Sequence, residues 1–167
     1  MFLTIKQFTD VWKQESDNTR KILGALTDAS LTKKVPEDQR TLGRMAWHIV
    51  LTLGELGGSL GLKVDCPKED SPMPQSAKEI LNAYDKAALS LSNSVNKDWN
   101  DEKLKVEIEL YGQKFTNSLG LWMTVVHEIH HRAQMTVLMR QAGVKVPGIY
   151  GPSYDEWAGY GGKPPAI

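Results

Sequence analysis

Apolar residues recur at helical spacing in four long stretches of this chain. In the first, residues 5–26, Ile5, Phe8, Trp12, Ile22, Leu23 and Leu26 share one side, and Thr4 stands where a cap is needed. The second starts at Thr41, a plausible N-cap, and runs to about Gly61 with the stripe Leu42, Met45, Ile49, Leu53, Leu56 and Leu60. The third begins at Ser76. Ser76-Ala77-Lys78-Glu79 has the spacing of a capping box, and Ile80, Leu81, Tyr84, Leu91 and Val95 supply the core side. The fourth, residues 118–142, is apolar over most of its girth through Val125, Val126, Ile129, Ala133, Val137 and Leu138, and Gly143 is its expected C-cap. One row on it is polar: Glu128, Arg132, Thr136 and Arg140. That spacing predicts a solvated i, i+4 ion pair between Glu128 and Arg132.

Between these stretches the pattern changes. "TDASLTKKVPEDQR" reads as a polar connector with a proline, and "KVDCPKEDSPMPQ", with three prolines, as a loop long enough to cross the molecule. In "KVEIELYGQKFTN" the apolar Val106, Ile108 and Leu110 alternate with charged residues before Tyr111-Gly112-Gln113, which predicts a small hairpin. After Gly143 the chain is rich in glycine, proline and aromatics. That is an irregular tail with one short turn over residues 153–158. The sum is an all-α, antiparallel-type four-helix bundle with a β-hairpin before the last long helix, in a single domain spanning residues 1–167.

Composition narrows the function classes. The 20 basic and 20 acidic residues balance without a block of one sign, so nothing supports nucleic-acid binding. No run of about 18 apolar residues predicts a membrane span, and the N-terminal apolar stretch is too short for a signal peptide. A soluble cytoplasmic protein is expected. The single cysteine, Cys66, excludes an internal disulfide and a thiolate-rich zinc site.

Chemistry enters with "VVHEIHHRAQ", which carries three of the four histidines. His127 and His131 lie about 40° apart around a helix and one turn apart along it, so two imidazoles can reach one ion. Two readings are open: a metal site, or core histidines hydrogen-bonded to backbone or to each other. His130 lies on the other side of His127, with its ring directed away from such an ion. The letters H-E-x-x-H also spell the helix of zinc proteases, but that chemistry needs Glu128 to face a metal-bound water. Its extended form asks for Gly and His where Gln134 and Val137 stand. Glu156 would be a third ligand in that reading. His48 sits on the shoulder of the second helix, in a polar row with Arg44, Thr52 and Glu55. It is either a boundary histidine or, if the row lines a cleft, the third ligand of a site with one open position, suited to zinc, nickel or iron. No general base is evident, since Glu55 lies two turns along, about 10 Å away.

"TLGRMAWHIV" followed by "HEIHHRAQ" resembles the DinB-like family of bacterial metal-binding bundles, as does the tail "VPGIYGPSYDEW". The resemblance covers nearly the whole chain. It implies an up-down-down-up bundle with His48, His127 and His131 as ligands of a divalent metal, and a homodimer. Arg44 stands where many relatives carry an acidic residue, and Ala133 where glycine is usual. Some relatives transfer or isomerise low-molecular-weight thiols. The resemblance therefore implies a metal-dependent thiol S-transferase acting on small molecules, with a metal-dependent hydrolase or a non-catalytic metal-binding or sensor protein as alternatives. In the thiol reading Arg44 holds a carboxylate of the thiol, or is a solvated surface arginine. Tyr154 and Trp157 close over the pocket, or only pack the tail onto the bundle.

Overall fold

The computed structural model describes residues 1–34 and 40–166. Its long elements are α1 (Ile5–Gly24), α2 (Leu42–Ser59), α3 (Ala77–Asp98), β1 (Glu107–Leu110), β2 (Gln113–Thr116) and α4 (Asn117–Gln141). Short 3-10 helices occupy Asp28–Thr32, Asp101–Lys105 and Tyr154–Tyr160. The first connector thus carries a 3-10 helix that buries Ser30 and Leu31; its Pro36 falls outside the described residues.

The helix starts follow local chemistry at three ends. Thr4 and Gln7 form a reciprocal capping box on α1. Thr41 Oγ1 accepts from Arg44 N at 3.1 Å, and Thr116 Oγ1 from Leu119 N at 3.3 Å. The capping box expected at Ser76 does not form: Ser76 is the N-cap but makes no side-chain cap bond. Instead the free amide of Ala77 donates to Asp28 Oδ1 at 2.7 Å. A carboxylate from a distant connector thus satisfies one of the free amides of the first turn, and it also favours the positive end of the helix.

β1 and β2 pair antiparallel, with Leu110 opposite Gln113. The two residues between them, Tyr111 and Gly112, have φ of 52° and 72°. Positive φ at both positions matches the right-handed twist of a two-residue hairpin. α4 stops at Gly143, φ 72°, where Val144 N returns to Met139 O at 2.9 Å in a Schellman closure.

α1 and α2 each pack against both α3 and α4. Directions follow from cross-contacts. Trp12 donates to Ala88 O and Thr9 to Asn96, so α1 and α3 run oppositely. Phe2 meets Ser118 and Glu15 meets Arg132, so α1 and α4 run together. Leu60, at the end of α2, presses on Gly120 near the start of α4, where a Cβ would come within 2.4 Å of Leu60 Cδ2. The result is the up-down-down-up bundle. The long loop between α2 and α3 returns along the bundle, held by Trp47 Nε1 to Ser71 O (3.0 Å) and Asp65 N to Ser90 Oγ (2.8 Å). The core is filled by the expected stripes, including Phe8, Trp12, Ile49, Leu53, Tyr84 and Leu91, each at most 2% exposed. No described helix is long and apolar enough to cross a membrane.

Candidate metal centre

Because α2 runs against α4, His48 descends to meet His127 and His131 on the facing helix. The three ring centroids stand 5.1 Å (His48–His127), 4.7 Å (His48–His131) and 4.4 Å (His127–His131) apart. One nitrogen from each lies within 4.8 Å of the other two. His127 Nε2 and His131 Nε2 are 3.2 Å apart. Two ligands at about 2.0–2.1 Å from one tetrahedral ion would be separated by roughly 3.3 Å, so the donor pair is already at ligand spacing. His131 Nδ1 lies 2.8 Å from Gln134 Oε1, an acceptor only. That contact puts the His131 proton on Nδ1 and leaves the Nε2 lone pair turned to the cluster. His127 has no such partner, and its Nδ1 is buried alone.

Electrostatics keep the cluster ready to coordinate. Burial, then the positive charge of Arg40 and the neighbouring imidazoles, push His48 down to about 4. Burial and His131 push His127 down to about 4 against an opposing pull from Glu55, and burial lowers His131 as well. All three are neutral near pH 7, as metal ligation requires. The donor set, three neutral imidazoles and no thiolate, fits zinc, nickel or iron.

The cluster opens on a cavity of about 390 Å³. His48, His127 and His130 form part of its wall, and Leu56, Met123 and Val126 give it an apolar flank. Thr52, Glu55 and Tyr111 complete it, with Tyr111 OH donating to Glu55 at 2.6 Å. That bond, with burial and the nearby charges of Glu55 and Glu69, pushes the Tyr111 phenol up to about 12. Tyr111 arrives from the hairpin tip. No spacing rule in the sequence pointed to it, because Asn or Gly is the ordinary first residue of such a turn. Glu55, though two turns from His48, lines the same cavity.

Arg44, Tyr154 and Trp157 do not line this cavity. Arg44 is exposed on the first turn of α2, near enough to His48 to act on it by charge. Tyr154 is exposed, and Trp157 packs beneath Gly162 in the tail. Glu156 is not a ligand: its carboxylate accepts from Gly148 N (3.0 Å) and Ser153 N (2.9 Å), which fixes the tail and lowers its own affinity for a proton.

The larger correction concerns the back of α4. Glu128 and Arg132 are not a solvated pair but are 1% and 2% exposed, while Val137 is 54% exposed. Glu128 Oε2 accepts from Thr19 Oγ1 (3.0 Å) and Tyr84 OH (3.1 Å), and Oε1 is buried without a partner. Arg132 bonds Glu15 O and Thr19 Oγ1, each at 3.0 Å, and pairs with the Glu15 carboxylate. Tyr150 OH closes the group by donating to Glu15 Oε2 at 2.7 Å. Burial lifts Glu128 to about 8 against the pull of Thr19, Tyr84 and Arg132, so the carboxyl is protonated near neutrality. Glu128 faces α1 and α3, away from the histidines, and the protease geometry is absent.

Residues 1–165 match the model of the DinB family. The uncharacterized protein YrdA of Bacillus subtilis (strain 168) is 42% identical over 167 residues, covering all of both chains. The crystal structure of a DinB-like protein from Bacillus cereus superposes with a TM-score of 0.86 at 40% identity, over 90% of this chain and 100% of that one. A second DinB-like protein, YjoA of Bacillus subtilis, shares the fold with a TM-score of 0.68 at 17% identity, over 87% of this chain and 98% of that one. The chain belongs to the DinB family.

Proposed function

We propose that His48, His127 and His131 hold one divalent ion, zinc or nickel before iron, and that the cavity presents it to a small-molecule substrate. The observation that carries this is the convergence of three neutral imidazoles, two of them at ligand spacing, on the wall of an open cavity. When bound, such an ion supplies a Lewis acid that lowers the pKa of a coordinated thiol or water. The chain's own residues do the rest. Gln134 fixes the tautomer of His131. Leu56, Met123 and Val126 take the apolar body of the substrate and displace water.

Within this frame we favour a low-molecular-weight-thiol S-transferase. The thiol sulfur bonds to an electrophilic carbon, the leaving group departs with the bonding pair, and the thiol proton is released. The absence of thiolates from the donor set keeps the ion free to take an exogenous thiol. The test is turnover by metal-loaded protein with bacillithiol, mycothiol, glutathione or coenzyme A against electrophiles. No turnover with confirmed metal would contradict the transferase and leave a metal-binding or sensor protein. Glu55 supports a second reading: a carboxylate on the cavity wall can accept a proton from attacking water. That hydrolase would turn over esters or amides without added thiol. We further propose a homodimer, supported by exposed apolar residues such as Leu3 and Val137; a monomer in sedimentation at micromolar concentration would contradict it.

A further inference from the structure

The cavity wall is electrically lopsided. Near its histidine side stand Arg40 and Arg44, both acting on His48. Two turns along α2, Glu55 enters the wall, and Tyr111 reaches over from the hairpin to donate to it. Glu69 adds a second negative charge near Tyr111. The residues between the two ends are Thr52 and the apolar Leu56, Met123 and Val126. No lysine or arginine lines this cavity among the described residues, so within it an anionic group at the Glu55 end would meet a carboxylate and a phenol; Lys68 lines a neighbouring pocket that Glu55 shares.

Glu55 is exposed, and the side chain that orients it is Tyr111, itself 68% exposed. The phenol is anchored on a tight two-residue turn, where Tyr111 adopts φ 52°, a conformation costly for a side chain with a Cβ. The bond leaves the remaining carboxylate lone pairs free for a donor from the cavity, since an ionised carboxylate accepts several hydrogen bonds.

We propose that Glu55, held by Tyr111, is a subsite for a cationic amine, so that the ligand taken by this cavity is an aminothiol: sulfur at the histidine cluster, ammonium at Glu55. This rests on the metal-and-thiol function proposed above. It replaces Arg44 as the residue that selects the thiol, and it favours a cationic end over a carboxylate end. Charge-assisted bonding to a carboxylate favours a cation over uncharged or anionic groups of the same size, by a modest factor at an exposed site.

The experiment uses cobalt-loaded protein, because thiolate ligation to cobalt gives its own charge-transfer absorption. ω-Aminothiols with two to six methylenes are titrated beside ω-mercaptoalkanols and ω-mercaptocarboxylates of matching length. The expected result is one preferred length at which the aminothiol binds about two- to fivefold more tightly than either partner. Glu55→Gln should erase that preference while the cobalt spectrum and mercaptoalkanol binding persist, and Tyr111→Phe should weaken it. Butylammonium should compete with the preferred aminothiol in the parent and not in Glu55→Gln. Equal binding of all three series, or a preference unchanged by Glu55→Gln, would overturn the subsite and leave the thiol reading intact. Failure of every thiol to perturb the cobalt spectrum would overturn the thiol reading itself. In that case, NMR shift mapping of butylammonium titrated into the parent and into Glu55→Gln still decides the amine subsite, and no Glu55-dependent shift overturns it.

Discussion

α4 presents two polar faces to the bundle, and they are built for opposite ends. Toward α2 it offers His127 and His131, half-buried, in contact with His48 and an open cavity. Toward α1 and α3 it offers Glu128 and Arg132, sealed from solvent and tied to Thr19, Tyr84, Glu15 and Tyr150. On the histidine face His127 Nδ1 has no partner, and the Nε2 atoms of His127 and His131 meet each other. The Glu128 face uses almost every polar atom to join three helices and the tail, with Glu128 Oε1 and the nearby Asn18 Nδ2 left over. A buried polar group is therefore structural or available according to whether its neighbours consume its valences, whatever its residue type.

The largest effect is expected of Arg132→Met. It strands the Glu15 carboxylate in the interior, and breaking a buried pair costs about 3–5 kcal/mol. Urea unfolding of metal-free protein reads it, and adding Glu15→Met should recover part of the loss. A cost under about 1 kcal/mol would show that the pair is not sealed.

Gln134→Ala probes the other face. Gln134 is exposed, so stability should hold, while metal affinity should fall about 10–100-fold as His131 loses its tautomer partner. Competition against a chromophoric chelator measures it, and unchanged affinity would remove Gln134 from the site.

The two faces also respond to pH with opposite signs in metal-free protein. The folded chain keeps the Glu128 proton up to about pH 8, whereas an ordinary glutamate releases it near 4.5. Across that interval the folded state binds the extra proton, so this contribution, fully present below 4.5, is lost as pH rises toward 8. The slope is at most about 1.4 kcal/mol per pH unit. His48 and His127 are pushed from 6.5 down to about 4, so there the unfolded state binds more protons and stability rises with pH between those values. The sum should peak near pH 6.5 and decline above it. Glu128→Gln should abolish the decline, whatever it does to absolute stability; a decline that persists in the variant would place its origin elsewhere.

The smallest effect belongs to the tail. Tyr150→Phe removes the bond to Glu15 from a largely exposed ring and should cost about 1 kcal/mol in thermal or urea unfolding. Proteolysis should reach residues 144–166 sooner. A tail as resistant as the parent's would mean that the packing of Val144, Val146 and Ile149 on the core holds it without the Tyr150 bond.

Much of this was readable beforehand. Stripes, threonine caps, Gly143 and the hairpin are local or periodic features, and the metal candidates follow from His127 and His131 at one-turn spacing with His48 on a cleft-facing row. What escaped was set by tertiary partners. Glu128 and Arg132 look solvated in isolation because charged rows usually are. Their partners were visible only as a gap in the α1 stripe: Glu15 and Thr19 occupy the core-facing turns between Trp12 and Ile22. Read against the apolar stripe, that gap predicts a buried polar layer, and Tyr84 on α3 faces it. Ser76 makes no capping box, and the start of its helix is met instead by Asp28, 49 residues away from Ala77, which no local signature reveals. Tyr111 reaches Glu55 by a turn whose first residue is an unusual choice. The tail's role hangs on a single hydroxyl, Tyr150, in a segment without periodicity.

In the function proposed here, the open face of α4 completes a metal site with His48. The direct measurement is bound metal per chain, by elemental analysis of protein purified without an affinity tag and dialysed against a fixed free-metal concentration. One divalent ion is expected in the parent and in His130→Ala, whose ring is outside the ligand group. His48→Ala, His127→Ala and His131→Ala should each lose most of it, since two imidazoles are too few for a tight site. A His48→Ala protein that keeps its metal as well as the parent would contradict the claim.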